Sequence, residues 1–220
     1  MKDIRIPVLA AVGFLLAGLT GHANPAADSP SPETALATLL AGNNRFVSGE
    51  VTHPDQGADR RIAQAGGQTP FAVVLTCSDS RVATVLYFDQ GIGSLFVIRN
   101  AGNVLDDHVI GSIEYAVEHL HVGLIVVVGH TKCGAVAATV AGGPAPGRIR
   151  SIVESIQPAL ASARDQPGDK IENVVRANAR RGAGILAQVG PFIAEGVKAG
   201  KVIVVAARYD LTTGAVELLS

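Results

Sequence analysis

The hydrophobic residues of this chain fall into two kinds of segment that alternate along most of its length. Segments of the first kind are short and apolar at nearly every position, which indicates strands buried on both faces, as in a parallel sheet. They are residues 71–76, 95–98, 124–128 and 202–206. Segments of the second kind mix apolar and polar residues at helical spacing. They are residues 107–119, 134–140, 149–163 and 172–199, the last interrupted near Gly190-Pro191.

Strands that are separated by helices are typical of βαβ units. We therefore expect an α/β domain over residues 33–220, with a mainly parallel sheet flanked by helices on both faces. A first helix is expected at its N-terminal boundary, because Ser31 can cap it and Pro32 suits its first position. Near the C-terminus, a turn at Thr213-Gly214 and a short terminal strand are expected.

The first 23 residues have a different pattern. Lys2 and Arg5 precede an apolar run over residues 6–19, and Gly21-His22-Ala23 places small residues where a signal peptidase would cleave after Ala23. The run is shorter than the ~20 residues that a membrane-spanning helix needs, which favours a signal peptide over an anchor or a buried helix. We expect a signal peptide over residues 1–23, a linker over 24–32, and a periplasmic or secreted bacterial protein.

The composition narrows the class of protein. Hydrophobic residues make up 48% of the chain and charged residues 17%, which favours a globular domain over a disordered one. Eighteen basic residues against nineteen acidic residues give a formal net charge of −1, and Trp is absent. We therefore expect no nucleic-acid partner and, after signal cleavage, no membrane association. Two cysteines are too few for a disulfide-stapled small domain.

Both cysteines lie directly after predicted strands. The run 71–76 is followed by CSDSR at 77–81, and the run 124–128 is followed by GHTKCG at 129–134. Because ligands bind at the carboxyl ends of the strands in such sheets, Cys77, His130 and Cys133 are expected to lie close together. Two cysteines and one histidine form a ligand set of catalytic zinc sites, in which a fourth position stays open. The sequence therefore predicts a zinc site at this edge of the sheet.

Other interpretations of these residues stay open. In an exported protein Cys77 and Cys133 could form a disulfide, and His130 could be a hydrogen-bonded residue at a strand end. A disulfide explains neither the His-x-x-Cys spacing nor the polar residues beside Cys77, so zinc is favoured. Asp79 could occupy the fourth zinc position, or pair with the planar guanidinium of Arg81 and leave that position to water. A surface salt bridge that shapes the turn is a third interpretation of this pair.

Three segments of the chain carry specific motifs: CSDSR at 77–81, RNAGN at 99–103 and EYAVEHLHVGLIVVVGHTKCG at 114–134. These segments closely resemble the β-class carbonic anhydrases, and the resemblance extends from about Thr34 to YDLTTG at 209–214. It implies an enzyme with one Zn²⁺ per chain that reversibly hydrates CO2 to bicarbonate and a proton by means of zinc-bound hydroxide. It also implies a homodimer or homotetramer, in which an N-terminal helical arm embraces the neighbouring subunit.

The resemblance also implies a role for each site residue by position. The implied zinc ligands are Cys77, His130 and Cys133. Asp79 and Arg81 are implied to form a catalytic dyad, and Asp79 becomes a further zinc ligand in the state where it closes onto the metal. Gly102, in the RNAGN segment, is expected to line the substrate pocket for CO2 together with apolar groups from a partner subunit.

Two alternative functions remain compatible with the sequence. In the first, the same zinc site hydrolyses another small linear molecule such as carbonyl sulfide or carbon disulfide. In the second, the protein is a non-catalytic binding protein in which zinc or a disulfide ties two loops together. An intact Asp79 and Arg81 speak against the second alternative, because a purely structural clamp does not need this pair.

Overall fold

Five strands form one sheet in the computed structural model of the chain, which describes residues 29–220. They are β1 (Ala72–Cys77), β2 (Leu95–Asn100), β3 (Leu124–His130), β4 (Ile203–Tyr209) and β5 (Val216–Leu219). Their order across the sheet is β2-β1-β3-β4-β5. The pairs among β1 to β4 are parallel, and β5 runs antiparallel to β4. The expected mainly parallel sheet is confirmed.

Eight α-helices accompany this sheet within the described residues. They are α1 (Pro32–Ser48), α2 (Ala58–Ala63), α3 (Thr84–Tyr87), α4 (Asp107–His119), α5 (Gly134–Ala141), α6 (Ile149–Ser162), α7 (Lys170–Leu186) and α8 (Pro191–Lys198). The Ser31 hydroxyl accepts a hydrogen bond from the Thr34 N–H at the start of α1, as expected of a cap. The break between α7 and α8 lies at Gly190, whose φ of +66° is incompatible with a continuing helix. None of these helices is both long and apolar enough to cross a bilayer.

The two faces of the sheet are covered by different helices because successive side chains of a strand point to opposite faces. On one face, Val73 and Leu75 of β1 pack in a cluster with residues of α4, α7 and α8. On the other face, Val74 packs in a cluster with Leu39 of α1 and Tyr87 of α3. All residues of β1 and β3 are buried, so the predicted burial on both faces is found in these two central strands. β2 is an edge strand and is only half-buried.

Two expectations concern residues that the structure does not describe. The predicted signal peptide over residues 1–23 and residues 24–28 of the predicted linker lie outside the described residues. The described chain starts at residue 29, and α1 begins at the end of the predicted linker with Pro32.

Asn43 joins three parts of the fold that are distant in sequence. Its amide Nδ2 donates hydrogen bonds to the carbonyl oxygens of Tyr87 and Gly214, each at 2.8 Å. Its Oδ1 accepts a hydrogen bond of 2.8 Å from the N–H of Val216. Because Asn43 is only 3% exposed, water cannot replace these partners without local opening. The residue therefore holds α1 to the segments that follow β1 and β4.

Asn43→Ala is expected to lower the free energy of unfolding by about 2–4 kcal/mol, because three buried backbone groups lose their partner. Asn44→Ala is the matched control, since Asn44 is the exposed neighbour on the same helix. Both changes raise helix propensity equally, so the comparison isolates the buried hydrogen bonds. Denaturant unfolding followed by circular dichroism gives both values. Equal stability of the two variants would contradict this role for Asn43.

Candidate metal centre

The carboxyl ends of β1 and β3 bring the two motifs together. These strands are hydrogen-bonded neighbours, with Thr76 in register with Val128. Cys77 and His130 are the last residues of their strands, and Cys133 immediately precedes α5. The sulfur atoms of both cysteines and a ring nitrogen of His130 all lie within 4.8 Å of one another. All three residues are buried.

The ring of His130 is oriented by one of its nitrogens and leaves the other free. Nδ1 lies 2.9 Å from the carbonyl oxygen of Thr131, which can only accept, so Nδ1 carries the proton. Nε2 therefore presents a lone pair, and it is buried without a hydrogen-bond partner. Because His130 is 0% exposed, bulk water does not reach this nitrogen. A histidine that is oriented through one ring nitrogen, and whose other nitrogen is buried without a partner beside two thiols, is typical of a metal ligand.

These residues fit Zn²⁺. Zinc–sulfur distances of about 2.3 Å and zinc–nitrogen distances of about 2.0–2.1 Å place tetrahedral ligand atoms roughly 3.5–3.8 Å apart. The ligand atoms here lie within 4.8 Å of one another, so small side-chain movements suffice. Thiolate and imidazole ligands suit zinc better than magnesium or calcium. Cys77 and Cys133 are free thiols and not a disulfide in the structure.

The two cysteines share one proton unequally. The Cys133 thiol donates a hydrogen bond to the Cys77 sulfur and lowers the pKa of Cys77 to about 4, against the opposing effect of burial. The N–H of Gly102 lowers the same pKa further. The pKa of Cys133 is raised, first by the same interaction with Cys77 and then by burial. Of the two thiols, Cys77 therefore holds its proton more loosely than Cys133, and metal binding has to displace the protons that remain.

Gly102 supports the metal centre from the turn after β2. Its N–H donates a hydrogen bond of 3.3 Å to the sulfur of Cys77. Its φ is +78°, and a side chain there would approach Ile156 to 2.9 Å and Ala135 to 3.0 Å. Its carbonyl oxygen accepts a hydrogen bond of 2.9 Å from the buried amide of Asn178. Conformation and space both require glycine here.

Asp79 is paired with Arg81 and lies beside the candidate metal ligands. Arg81 donates from Nε to Oδ1 at 2.9 Å and from Nη2 to Oδ2 at 2.7 Å, and its backbone N–H also donates to Oδ1. The Arg81 side chain lowers the pKa of Asp79 well below its usual range, so the carboxylate stays ionised at neutral pH. Oδ2 is 3.9 Å from Nε2 of His130. Asp79 and Arg81 thus form an ion pair, and their catalytic role stays a prediction.

Solved structures share this fold. A tetrameric β-carbonic anhydrase of Sordaria macrospora superposes with a TM-score of 0.69 at 24% identity, and the match covers 85% of this chain and 98% of that one. The β-carbonic anhydrase CafA of Aspergillus fumigatus superposes with a TM-score of 0.66 at 28% identity, covering 84% of this chain and 90% of that one. The expected α/β architecture with helices on both faces is confirmed.

Sequence comparisons agree with the structural ones. The family model described as carbonic anhydrase matches residues 72–216. The carbonic anhydrase of Mycolicibacterium smegmatis is 43% identical over 194 residues, which cover 86% of this chain and 94% of that protein. Carbonic anhydrase 2 of Mycobacterium tuberculosis is 41% identical over 188 residues, or 84% of this chain and 91% of that protein. The chain belongs to the β-carbonic anhydrase family. The resemblance and the expectation of an enzyme are confirmed.

Within this β-carbonic anhydrase fold, the predicted site residues converge. Four side chains, those of Cys77, Asp79, His130 and Cys133, lie at one edge of the sheet, and Arg81 is held by Asp79. Gly102 lies against Cys77, and its contact with substrate stays a prediction. The catalytic and metal-binding roles of the other residues likewise stay predictions.

Some residues that hold the candidate metal ligands in place were not predicted from the sequence. Arg99 of β2 donates from Nε to the carbonyl oxygen of Cys77 at 3.1 Å and from Nη2 to that of Asp79 at 2.8 Å. It therefore braces the turn that carries both residues. Its place in the RNAGN segment at 99–103 was a signal that could have identified it. Thr131 lies within GHTKCG at 129–134, so its position was also marked, whereas Asn178 lies in no such motif and its contact with Gly102 forms only in the folded chain.

Proposed function

We propose that the chain binds Zn²⁺ through Cys77, His130 and Cys133 and reversibly hydrates CO2 to bicarbonate and a proton. The observation that carries the proposal is the buried Nε2 of His130, which has no hydrogen-bond partner and lies beside two free thiols. The names of the relatives in Mycolicibacterium and Mycobacterium support the reaction. The ligand set supports zinc, with one ion per chain.

Asp79 and Arg81 are proposed to orient the reacting water molecule. When held by Cys77, His130 and Cys133, Zn²⁺ would supply a Lewis acid that lowers the pKa of a water molecule towards neutrality. The Asp79 carboxylate, held ionised by Arg81, accepts a hydrogen bond from the reacting water at Oδ2 and so turns a lone pair of that water towards CO2. Arg81 fixes the carboxylate through two parallel hydrogen bonds. The pair therefore orients the nucleophile.

We also propose that the active form is a homodimer or homotetramer, with an apolar CO2 slot near Gly102 completed by the neighbouring subunit. The edge strand β2 supports this, because its Phe96 is only half-buried and lies 6.3 Å, ring to ring, from Tyr115 of α4. Tyr115 is 47% exposed. The Sordaria macrospora enzyme is described as tetrameric. An apolar edge of this kind is suited to a subunit interface.

We propose that the protein is exported from a bacterial cytoplasm. The charged start, the apolar run over residues 6–19 and the small residues before position 24 support a cleaved signal peptide. The domain over residues 33–220 would then act in the periplasm or outside the cell.

The protein is expected to contain about one zinc per chain, with both thiols free after denaturation in the presence of a chelator. Stopped-flow measurements with a pH indicator should show acidification when CO2 is mixed with the protein. Stripping the metal should abolish the signal and adding Zn²⁺ should restore it. Turnover of carbonyl sulfide or carbon disulfide without CO2 hydration would favour the first alternative function. A disulfide, or zinc without either activity, would favour a binding protein.

A further inference from the structure

Thr131 connects His130 to the turn between β4 and β5 through three contacts. Its carbonyl oxygen lies 2.9 Å from Nδ1 of His130 and orients the ring. Its N–H donates to the carbonyl oxygen of Tyr209 at 3.0 Å. Its side-chain Oγ1 accepts a hydrogen bond of 2.9 Å from the N–H of Leu211. The residue that orients His130 is thus itself held at its backbone and at its side chain.

The turn at the other end of these contacts is well anchored. Oδ1 of Asp210 accepts hydrogen bonds from the N–H groups of Thr212 at 2.8 Å and Thr213 at 3.0 Å. Oδ2 of Asp210 accepts a hydrogen bond of 2.9 Å from Arg208. Asn43 holds the far side of the turn through Gly214, as described above. The hydrogen bond from Leu211 can position Thr131 only if Leu211 is itself held in place. The contacts of this turn hold it in place.

We infer that the Thr131 hydroxyl is a positioning group for the metal ligand His130. By accepting the Leu211 N–H, Oγ1 limits rotation of the peptide unit that follows Thr131. The carbonyl oxygen of this unit, which belongs to Thr131, accepts the hydrogen bond from Nδ1 of His130. The orientation of the imidazole ring, and with it the direction of the free Nε2, therefore depends on a turn about 80 residues away in sequence. This inference rests on the proposed binding of Zn²⁺ at His130. Loss of a group that orients a ligating histidine typically lowers metal affinity by about 10–100-fold.

Thr131→Val tests the inference, because valine keeps the shape of threonine and removes the hydrogen-bond acceptor. Zinc dissociation from the full-length holoprotein is measured by transfer to a colorimetric chelator. We expect release about tenfold faster than from the unchanged protein. The visible absorption of the Co²⁺-substituted protein should also change, because it reports the geometry of the ligands. Thr131→Ser restores the acceptor and is expected to stay within twofold of the unchanged protein.

Thr213→Val is the matched control for a merely structural effect. Thr213 lies in the same turn, and its Oγ1 also accepts a backbone N–H, that of Ala215 at 3.3 Å, but it has no contact with His130. Its zinc release is expected to equal that of the unchanged protein. If Thr131→Val does not fold, Thr131→Ala replaces it in the same comparison.

Two results would overturn the inference: zinc release from Thr131→Val within twofold of the unchanged protein, or equally accelerated release from Thr213→Val. The readout is zinc release and not CO2 hydration, so it separates this inference from the proposed reaction. If the unchanged protein holds zinc but hydrates no CO2, only the reaction fails. If it hydrates CO2 and Thr131→Val keeps its zinc, only the positioning role fails.

Discussion

Replacing Cys77 with serine is expected to leave the chain folded but without bound zinc and without CO2 hydration. The serine hydroxyl stays protonated at neutral pH, whereas the pKa of the Cys77 thiol is lowered to about 4, first by the hydrogen bond from Cys133. Binding free energies of about 10–16 kcal/mol for sites of four protein ligands correspond to roughly 2.5–4 kcal/mol per ligand. Zinc affinity should therefore fall by on the order of 10²–10³-fold. Only His130 and Cys133 would remain as strong ligands.

Metal analysis after dialysis checks this prediction directly. The Cys77→Ser protein should contain almost no zinc, while Ser80→Ala, a change at an exposed position of the same turn, should keep about one zinc per chain. Metal-free forms of both proteins should unfold at similar denaturant concentrations, because serine is nearly the size of cysteine. Zinc retained by Cys77→Ser at the level of the control would exclude Cys77 as a ligand.

The pattern of the sequence was sufficient to predict a mainly parallel sheet and the edge at which the candidate metal ligands lie. β1 and β3 are the two strands with every residue buried, and both were visible as uninterrupted apolar runs. In a parallel sheet the residues after such runs lie at one edge, so Cys77 and His130 could be placed at the same edge. They lie close together because β1 and β3 are neighbouring strands, which the structure shows. The structure adds that both residues still belong to their strands as last members.

Other parts of the fold left no signal of this kind. The α3 helix, Thr84–Tyr87, is a single turn and too short to show helical periodicity. The hydrogen bonds of Asn43 join residues 44 and more than 170 positions apart, and no local pattern specifies such contacts. The pairing of Asp79 with Arg81 is a local contact, but a carboxylate two residues from an arginine is compatible with several geometries, so the sequence did not specify it.

Arg81→Ala is expected to give a folded protein that keeps its zinc and loses CO2 hydration by about 100-fold or more. Arg81 is the group that holds both oxygens of Asp79, with Nε at 2.9 Å and Nη2 at 2.7 Å. Without it, the Asp79 carboxylate can turn towards the metal, since Oδ2 is already 3.9 Å from Nε2 of His130. The carboxylate would then occupy the fourth ligand position and exclude water. Arg61→Ala, on the exposed surface of α2, is the control and should keep full activity.

A double variant separates this blocking of the metal from a simple loss of positive charge. If Asp79 blocks the fourth position in Arg81→Ala, adding Asp79→Ala reopens that position to water. Stopped-flow CO2 hydration should then be faster in the double variant than in Arg81→Ala, although slower than in the unchanged protein, because the hydrogen-bond acceptor for the reacting water is also lost. Equal inactivity of the two variants, each with one zinc per chain, would show that Arg81 acts by another route. Full activity of Arg81→Ala would remove the dyad from the mechanism, while leaving the three metal ligands in place.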